Sequence, residues 1–204
     1  SELIKLDLTN KTVVALGDSV TRGFDGTVNL RYNYPQYLAK YYNCRVCNNG
    51  INGATIYETL EKEIEKIKDK QYDIIVLMIG TNDYGHLDVP LVRVISKLTR
   101  LVRKLISEHH EAKIYAVLPL TRFDEDKNAA DVIRYSNYTF NQLLDGLTEV
   151  YSAFQIPFID WREYHSEFIT DFNYKDMYQD QHVHPNAYTY RKLAFYIGDF
   201  IKNS

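Results

Sequence analysis

The run Asp73-Ile74-Ile75-Val76-Leu77-Met78-Ile79 constrains the fold more than any other stretch of this chain. It is continuously apolar rather than alternating. A strand built from it must therefore be covered on both faces, which is the setting of a central strand in a parallel sheet. Shorter apolar runs at 12–16, 44–48, 114–118 and 156–159 read as four further strands. Helical stretches fall between them, at 34–42, 56–70, 90–109, 129–154 and 187–201. In the second of these, Ile56, Leu60, Ile64 and Ile67 recur at helical spacing. In the third, Pro90 sits in the first turn, where a missing N–H costs least. Residues 121–128 and 164–180 look irregular. Strand–helix alternation of this kind predicts an α/β fold with right-handed crossovers and a five-stranded parallel sheet between helical layers. Such sheets bind ligands outside the carboxyl ends of their strands, so any chemistry belongs in the loops that follow strands.

With 204 residues, the chain is expected to form one domain, 1–204. Its formal net charge is -3 and its basic residues are dispersed. That argues against nucleic acid or an anionic membrane as the main partner. No apolar run approaches the length of a membrane span. The chain starts at Ser1 without a charged-then-apolar leader, which leaves room for a segment already removed. Cys44 and Cys47 have no second pair with which to complete a zinc site. On a strand their side chains point to opposite faces, so ordinary reduced thiols are expected. Reduced thiols and the missing leader favour a cytoplasmic location.

Four segments carry the chemistry. Gly17-Asp18-Ser19 follows the first strand. A serine there sits at the mouth of the crevice, and it needs a base within hydrogen-bond reach to act as a nucleophile. An ordinary strand-to-helix cap would look the same. Asn48-Asn49-Gly50-Ile51-Asn52-Gly53 follows the second strand, and its glycines let a backbone N–H approach a ligand closely. Gly80-Thr81-Asn82-Asp83 follows the third, placing an amide where it can donate to an oxygen gaining charge. His184-Pro185-Asn186 precedes the last helix, and the proline restricts the backbone of His184. Each segment has a plain reading as a turn or cap. Together they bring a hydroxyl, backbone donors, an amide and an imidazole to one edge of one sheet, the requirement for acyl transfer.

The order Gly-Asp-Ser, Asn-x-Gly-x-x-Gly within 48–53, Gly-Thr-Asn-Asp and His-Pro-Asn resembles the blocks of the SGNH (GDSL-like) hydrolase superfamily. The resemblance runs from residue 12 to the closing helix. It implies a flavodoxin-like three-layer α/β/α sandwich. By position it implies Ser19 as nucleophile and first oxyanion donor, Gly53 N–H as second donor and the Asn82 amide as third. His184 would be the general base. The family activity it implies is hydrolysis of carboxylic esters of short acyl chain through an acyl-enzyme, with a small-molecule ester as partner and no cofactor or metal. A carbohydrate O-acetylesterase or a thioesterase would use the same groups, and a binding module could keep the fold without turnover. An α/β-hydrolase is a poorer match, because its nucleophile lies mid-chain in Gly-x-Ser-x-Gly.

The chain departs from the family three residues before the histidine, where an aspartate is usual and Gln181 stands. Asp180 lies one residue earlier. Three readings follow for what orients His184: Asp180 through a one-residue bulge, Gln181 as a neutral acceptor, or a backbone carbonyl. Asp18 and Asp83 are expected to organise their turns. Tyr84 and His86, just beyond Asn82, are candidates for the substrate pocket or for a plain surface loop. The tyrosine-rich stretch 164–178 suits a cleft wall or a dimer contact, which keeps a homo-oligomer open.

Overall fold

The computed structural model describes residues 7–204. Five parallel strands make the main sheet, in the order β2-β1-β3-β4-β7. They are β1 (Thr12–Gly17), β2 (Arg45–Gly50), β3 (Ile74–Met78), β4 (Lys113–Val117) and β7 (Phe158–Ile159). Every residue of β3 is buried, and β3 lies at the centre of the sheet as the apolar run requires. The order reverses at β1, because β2 lies on one side of it and β3 on the other. This is the switch point at which open α/β sheets bind ligands.

The principal helices are α2 (Tyr34–Tyr42), α3 (Leu60–Lys66), α5 (Leu91–Glu108), α6 (Phe140–Ala153) and α8 (Ala187–Lys202). Short helices α1 (Ser19–Arg22), α4 (Thr81–His86) and α7 (Tyr174–Met177) sit in the loops. Along α5 the buried residues are Val94, Leu98, Leu101, Val102 and Leu105, the stripe of an amphipathic helix lying on a sheet. No helix among the described residues is long and apolar enough to cross a membrane.

Three sequence expectations need correction. The stretch 56–70 is helical only over Leu60–Lys66. The N–H groups of Ile56 and Tyr57 donate to the carboxylate of Asp83, at 2.8 and 3.1 Å, in a turn that precedes the helix. The stretch 129–154 is helical only over Phe140–Ala153. Thr139 and Gln142 form a reciprocal capping box there, which fixes the helix start eleven residues later than hydrophobic content suggested. Residues 121–128 are not irregular. They hold a small antiparallel ribbon, β5 (Phe123–Asp124) and β6 (Lys127–Asn128). Its turn residues Glu125 and Asp126 have φ of 52° and 63°, as a two-residue hairpin turn requires.

Cys44 is buried and Cys47 exposed, both as free thiols. The tyrosine-rich stretch serves chiefly as packing. Tyr174 stacks on Phe123 with ring centroids 3.8 Å apart, and the Tyr178 hydroxyl donates to the Thr121 carbonyl at 2.5 Å.

Candidate active site

Ser19 opens α1 directly after β1, and the side chain of the preceding Asp18 accepts the Val20 N–H at 2.9 Å. That cap fixes the turn and leaves the serine hydroxyl free of it. Gly17 has no room for a side chain, since a Cβ there would collide with the Met78 carbonyl and the Thr21 hydroxyl. Ser19 Oγ lies 2.9 Å from His184 Nε2, although 165 residues separate the two in sequence. Phe24 meets the imidazole edge-on, with centroids 5.0 Å apart. The buried hydroxyl of Tyr190 donates to the Phe24 carbonyl at 2.6 Å and so holds that ring in place.

The third member is Asp180. Its Oδ2 lies 2.5 Å from His184 Nδ1. Its Oδ1 accepts the backbone N–H groups of His182, Val183 and His184 at 3.0, 3.1 and 3.0 Å. Gln181 takes a left-handed φ of 57°, and this absorbs the additional residue between the aspartate and the histidine. Of the three readings for the partner of His184, the contact made is that of Asp180. Burial by itself would raise the Asp180 carboxyl. Hydrogen bonds from the His184 ring and backbone, the nearby His184 charge and the Val183 N–H outweigh it, and the pKa falls to about 2. An ionised carboxylate can only accept, so Nδ1 must carry the proton and Nε2 presents its lone pair to the serine.

In the loop after β2, Gly53 has φ +81°, and a Cβ built there would meet nothing within 4 Å. Asn82 is nearly buried, and its Nδ2 donates one hydrogen to the Ala54 carbonyl at 3.0 Å. The amide is thus tied to the loop that carries Gly53 through the Ala54 carbonyl. Asp83 is fully buried and binds the same loop from below, through Ile56 and Tyr57.

Tyr84 does not line the cleft. It is 2% exposed, packs on Phe140 and Tyr138, and donates its hydroxyl to Val132 O at 2.8 Å. Two residues on from Asn82 is about 200° round a helix, which turns it into the core. His86 is exposed and lies one turn beyond Asn82, on the same helical face.

Sequence reasoning missed two buried ionisable side chains beneath the site. Arg122 is 2% exposed. It grips Asp124 with two nitrogens at 2.9 and 3.0 Å and donates from a third to Thr81 O and Oγ1 at 3.1 and 3.0 Å. It thus ties the Asn82 segment to the β5 ribbon. The ribbon in turn holds the histidine loop, because Phe123 N donates to His182 O. A basic residue soon after the proline that stops β4 was the available signal. Glu63 is also 2% exposed, and its Oε1 accepts the Gly17 N–H at 3.2 Å. Its helical spacing gave no hint of this, since α3 reads as an ordinary charged helix.

Burial pushes the Glu63 carboxyl up to about 8; the Gly17 N–H opposes that rise and the Asp18 charge adds to it. A folded-state pKa above the unfolded value of 4.5 means that stability is fully present below 4.5 and is lost as pH rises toward 8. Asp83 is likewise raised to about 7, mainly by burial, so both carboxyls act in the same direction. Glu63→Gln keeps the acceptor for Gly17 but removes the titration. Its melting temperature relative to the parent is expected to climb between pH 5 and pH 8. A parallel pH dependence in the two proteins would show that Glu63 is not protonated in the fold.

A sequence profile of the GDSL-like lipase/acylhydrolase family matches residues 15–192. The chain belongs to the GDSL-like lipase/acylhydrolase family. No curated protein matches it in sequence. Among solved structures it is similar to an acetylxylan esterase from Geobacillus stearothermophilus, with TM-score 0.70, 20% identity and 96% of each chain covered. It is also similar to a provisionally named GDSL-like lipase from Parabacteroides merdae, with TM-score 0.75, 18% identity, and 98% of this chain and 100% of that one covered. A protein from Lactobacillus plantarum aligns with TM-score 0.73 and 19% identity over 95% of this chain and 97% of its own. In this GDSL-like chain, as the superfamily resemblance implied, the fold is the three-layer α/β/α arrangement with a five-stranded parallel sheet.

Proposed function

We propose that this GDSL-like hydrolase is a serine esterase, a single catalytic domain that cleaves carboxylic esters of short acyl chain through an acyl-enzyme. The observation that carries the reading is the alignment of Ser19 Oγ, His184 and Asp180, with contacts of 2.9 and 2.5 Å. Ser19 Oγ attacks the ester carbonyl as His184 Nε2 takes its proton. The carbonyl oxygen becomes an oxyanion, held by the N–H groups of Ser19 and Gly53 and by the Asn82 amide. The imidazolium, steadied by Asp180, then protonates the departing alkoxide. Water repeats the cycle on the acyl-Ser19 ester and restores the hydroxyl.

The test is reaction with a fluorophosphonate followed by mass mapping. Labelling of Ser19, lost in His184→Ala, supports the reading; absence of label on folded protein overturns it. Asn82→Ala removes one oxyanion donor and is expected to lower kcat about 100- to 1,000-fold, from roughly 2.7–4 kcal/mol of barrier. Unchanged turnover in a folded Asn82→Ala variant would remove Asn82 from the mechanism. Among esters, O-acetylated saccharides are the second reading. The similar acetylxylan esterase shares this frame over nearly its whole length, which makes acetylated xylans the next substrates to assay.

A further inference from the structure

A second concavity lies on the same edge of the sheet and shares no residue with the Ser19–His184 site. It encloses about 470 Å³ beyond the carboxyl ends of β4 and β7. That volume lies within the range of small-molecule sites. In the sheet order, β4 and β7 are two and three strands from β1. At about 4.8 Å per strand the cavity is roughly 10–14 Å from the serine turn, measured across the sheet.

Its floor is apolar. Phe140, Leu144, Trp161 and Ile169 line it, and each is at most 6% exposed. Its rim is polar. Asn128 Nδ2 donates to Asp171 Oδ1 at 2.7 Å, which pins an amide and a carboxylate side by side. Asn141, Thr121 and Ser166 add further neutral polar groups. Phe172 also lines the cavity and is 99% exposed. A phenylalanine that exposed buries nothing in the fold. At the lip of a cavity it is placed to meet an incoming apolar face.

The charges select against an anionic ligand. Arg162 is the one basic side chain in the lining, and its guanidinium is committed to Asp160 and Asp145 at 2.8 and 2.7 Å. Asp160 and Asp171 outnumber it, so the lining is negative overall. An anion would meet two carboxylates and no free cation. A pyranose ring matches what remains: its C–H face suits an aromatic surface, and its hydroxyls can donate to a carboxylate and exchange hydrogen bonds with an amide.

We propose that this cavity is a subsite for one pyranose ring of a neutral oligosaccharide. Its spacing from Ser19 suits a chain of several rings rather than a single sugar. The length of that chain rests on the esterase reading of Ser19, whereas occupancy of the cavity is read by binding alone in protein without turnover.

Trp161 is the only tryptophan in the chain, so its emission reports on this cavity selectively. Ser19→Ala protein, which removes any turnover, is titrated with xylotetraose, cellotetraose and tetragalacturonate. A saturable change in Trp161 emission is expected with a neutral tetraose and none with the anionic one. Phe172→Ala on the same background should weaken that binding about two- to tenfold, the effect of losing one aromatic contact. Phe172 is fully exposed, so the variant should fold. Asp171→Ala, also at the surface, should weaken binding without moving the melting temperature. The proposal fails if neither neutral tetraose alters the emission. It fails equally if tetragalacturonate binds as well as they do, or if both variants bind like the parent.

Discussion

Ser19→Ala is expected to lower kcat by about six orders of magnitude, because residues that act as one unit fail together. The substitution is small. Ser19 is 5% exposed, and its Oγ is bonded to His184 Nε2. The cap that shapes the turn belongs to Asp18 and survives. A residual rate about 10³–10⁴ above water should remain, because the oxyanion donors are untouched. The measurement is kcat on a short-acyl aryl ester, with melting temperature and Trp161 emission as checks that the fold is intact. A folded Ser19→Ala protein that keeps most of its turnover would refute the serine mechanism.

Asp180→Asn should cost about 10⁴ in kcat with little change in KM, the loss that follows from presenting the wrong imidazole tautomer. The asparagine oxygen can still accept the three backbone N–H groups now bound by Oδ1, so the loop should persist. Its NH2 group would then face His184 Nδ1. A donor there forces the ring proton onto Nε2, and Nε2 can no longer take the serine proton. Gln181→Ala supplies the contrast, since it leaves Asp180 in place and should retain activity, although the left-handed φ of 57° is harder for alanine than for glycine. Gln181→Gly therefore serves as the second control. A large loss in both Gln181 variants, with a mild one in Asp180→Asn, would transfer the orienting role to Gln181.

The same residue predicts an acid limb. The pKa of Asp180 falls from 3.8 to about 2 on folding. Its stabilisation is therefore present above 3.8 and is lost as pH falls toward 2. The melting-temperature gap between parent and Asp180→Asn should narrow over that interval. Glu63 and Asp83 oppose it on the alkaline side, so the stability maximum should lie between the two limbs.

Local patterns carried much of this protein. The apolar run at 74–79 demanded burial on both faces, and β3 became the central strand. Residues after strands β1, β2 and β3, together with the residue before the last proline, could be nominated as a site because strand ends in a parallel sheet share one edge. Helix limits were less legible. The stretch at 56–70 has good helical spacing, yet its first residues form a turn bound to Asp83 from a different loop, and the helix spans only Leu60–Lys66.

Periodicity, caps and turns depend on residues one to four apart, so the sequence alone determined the layers, the direction of the sheet and which loops could react. Distances between remote side chains follow from strand order and loop path, and tertiary structure alone decided those. It placed Asp180 rather than Gln181 on His184 by way of one left-handed residue. It turned Tyr84 into the core and buried Arg122 and Glu63 beneath the reactive loops. Arg122 is tolerable there because Asp124 and Thr81 converge on it, while burial pushes Glu63 toward its neutral form, and neither effect leaves a local mark on the chain.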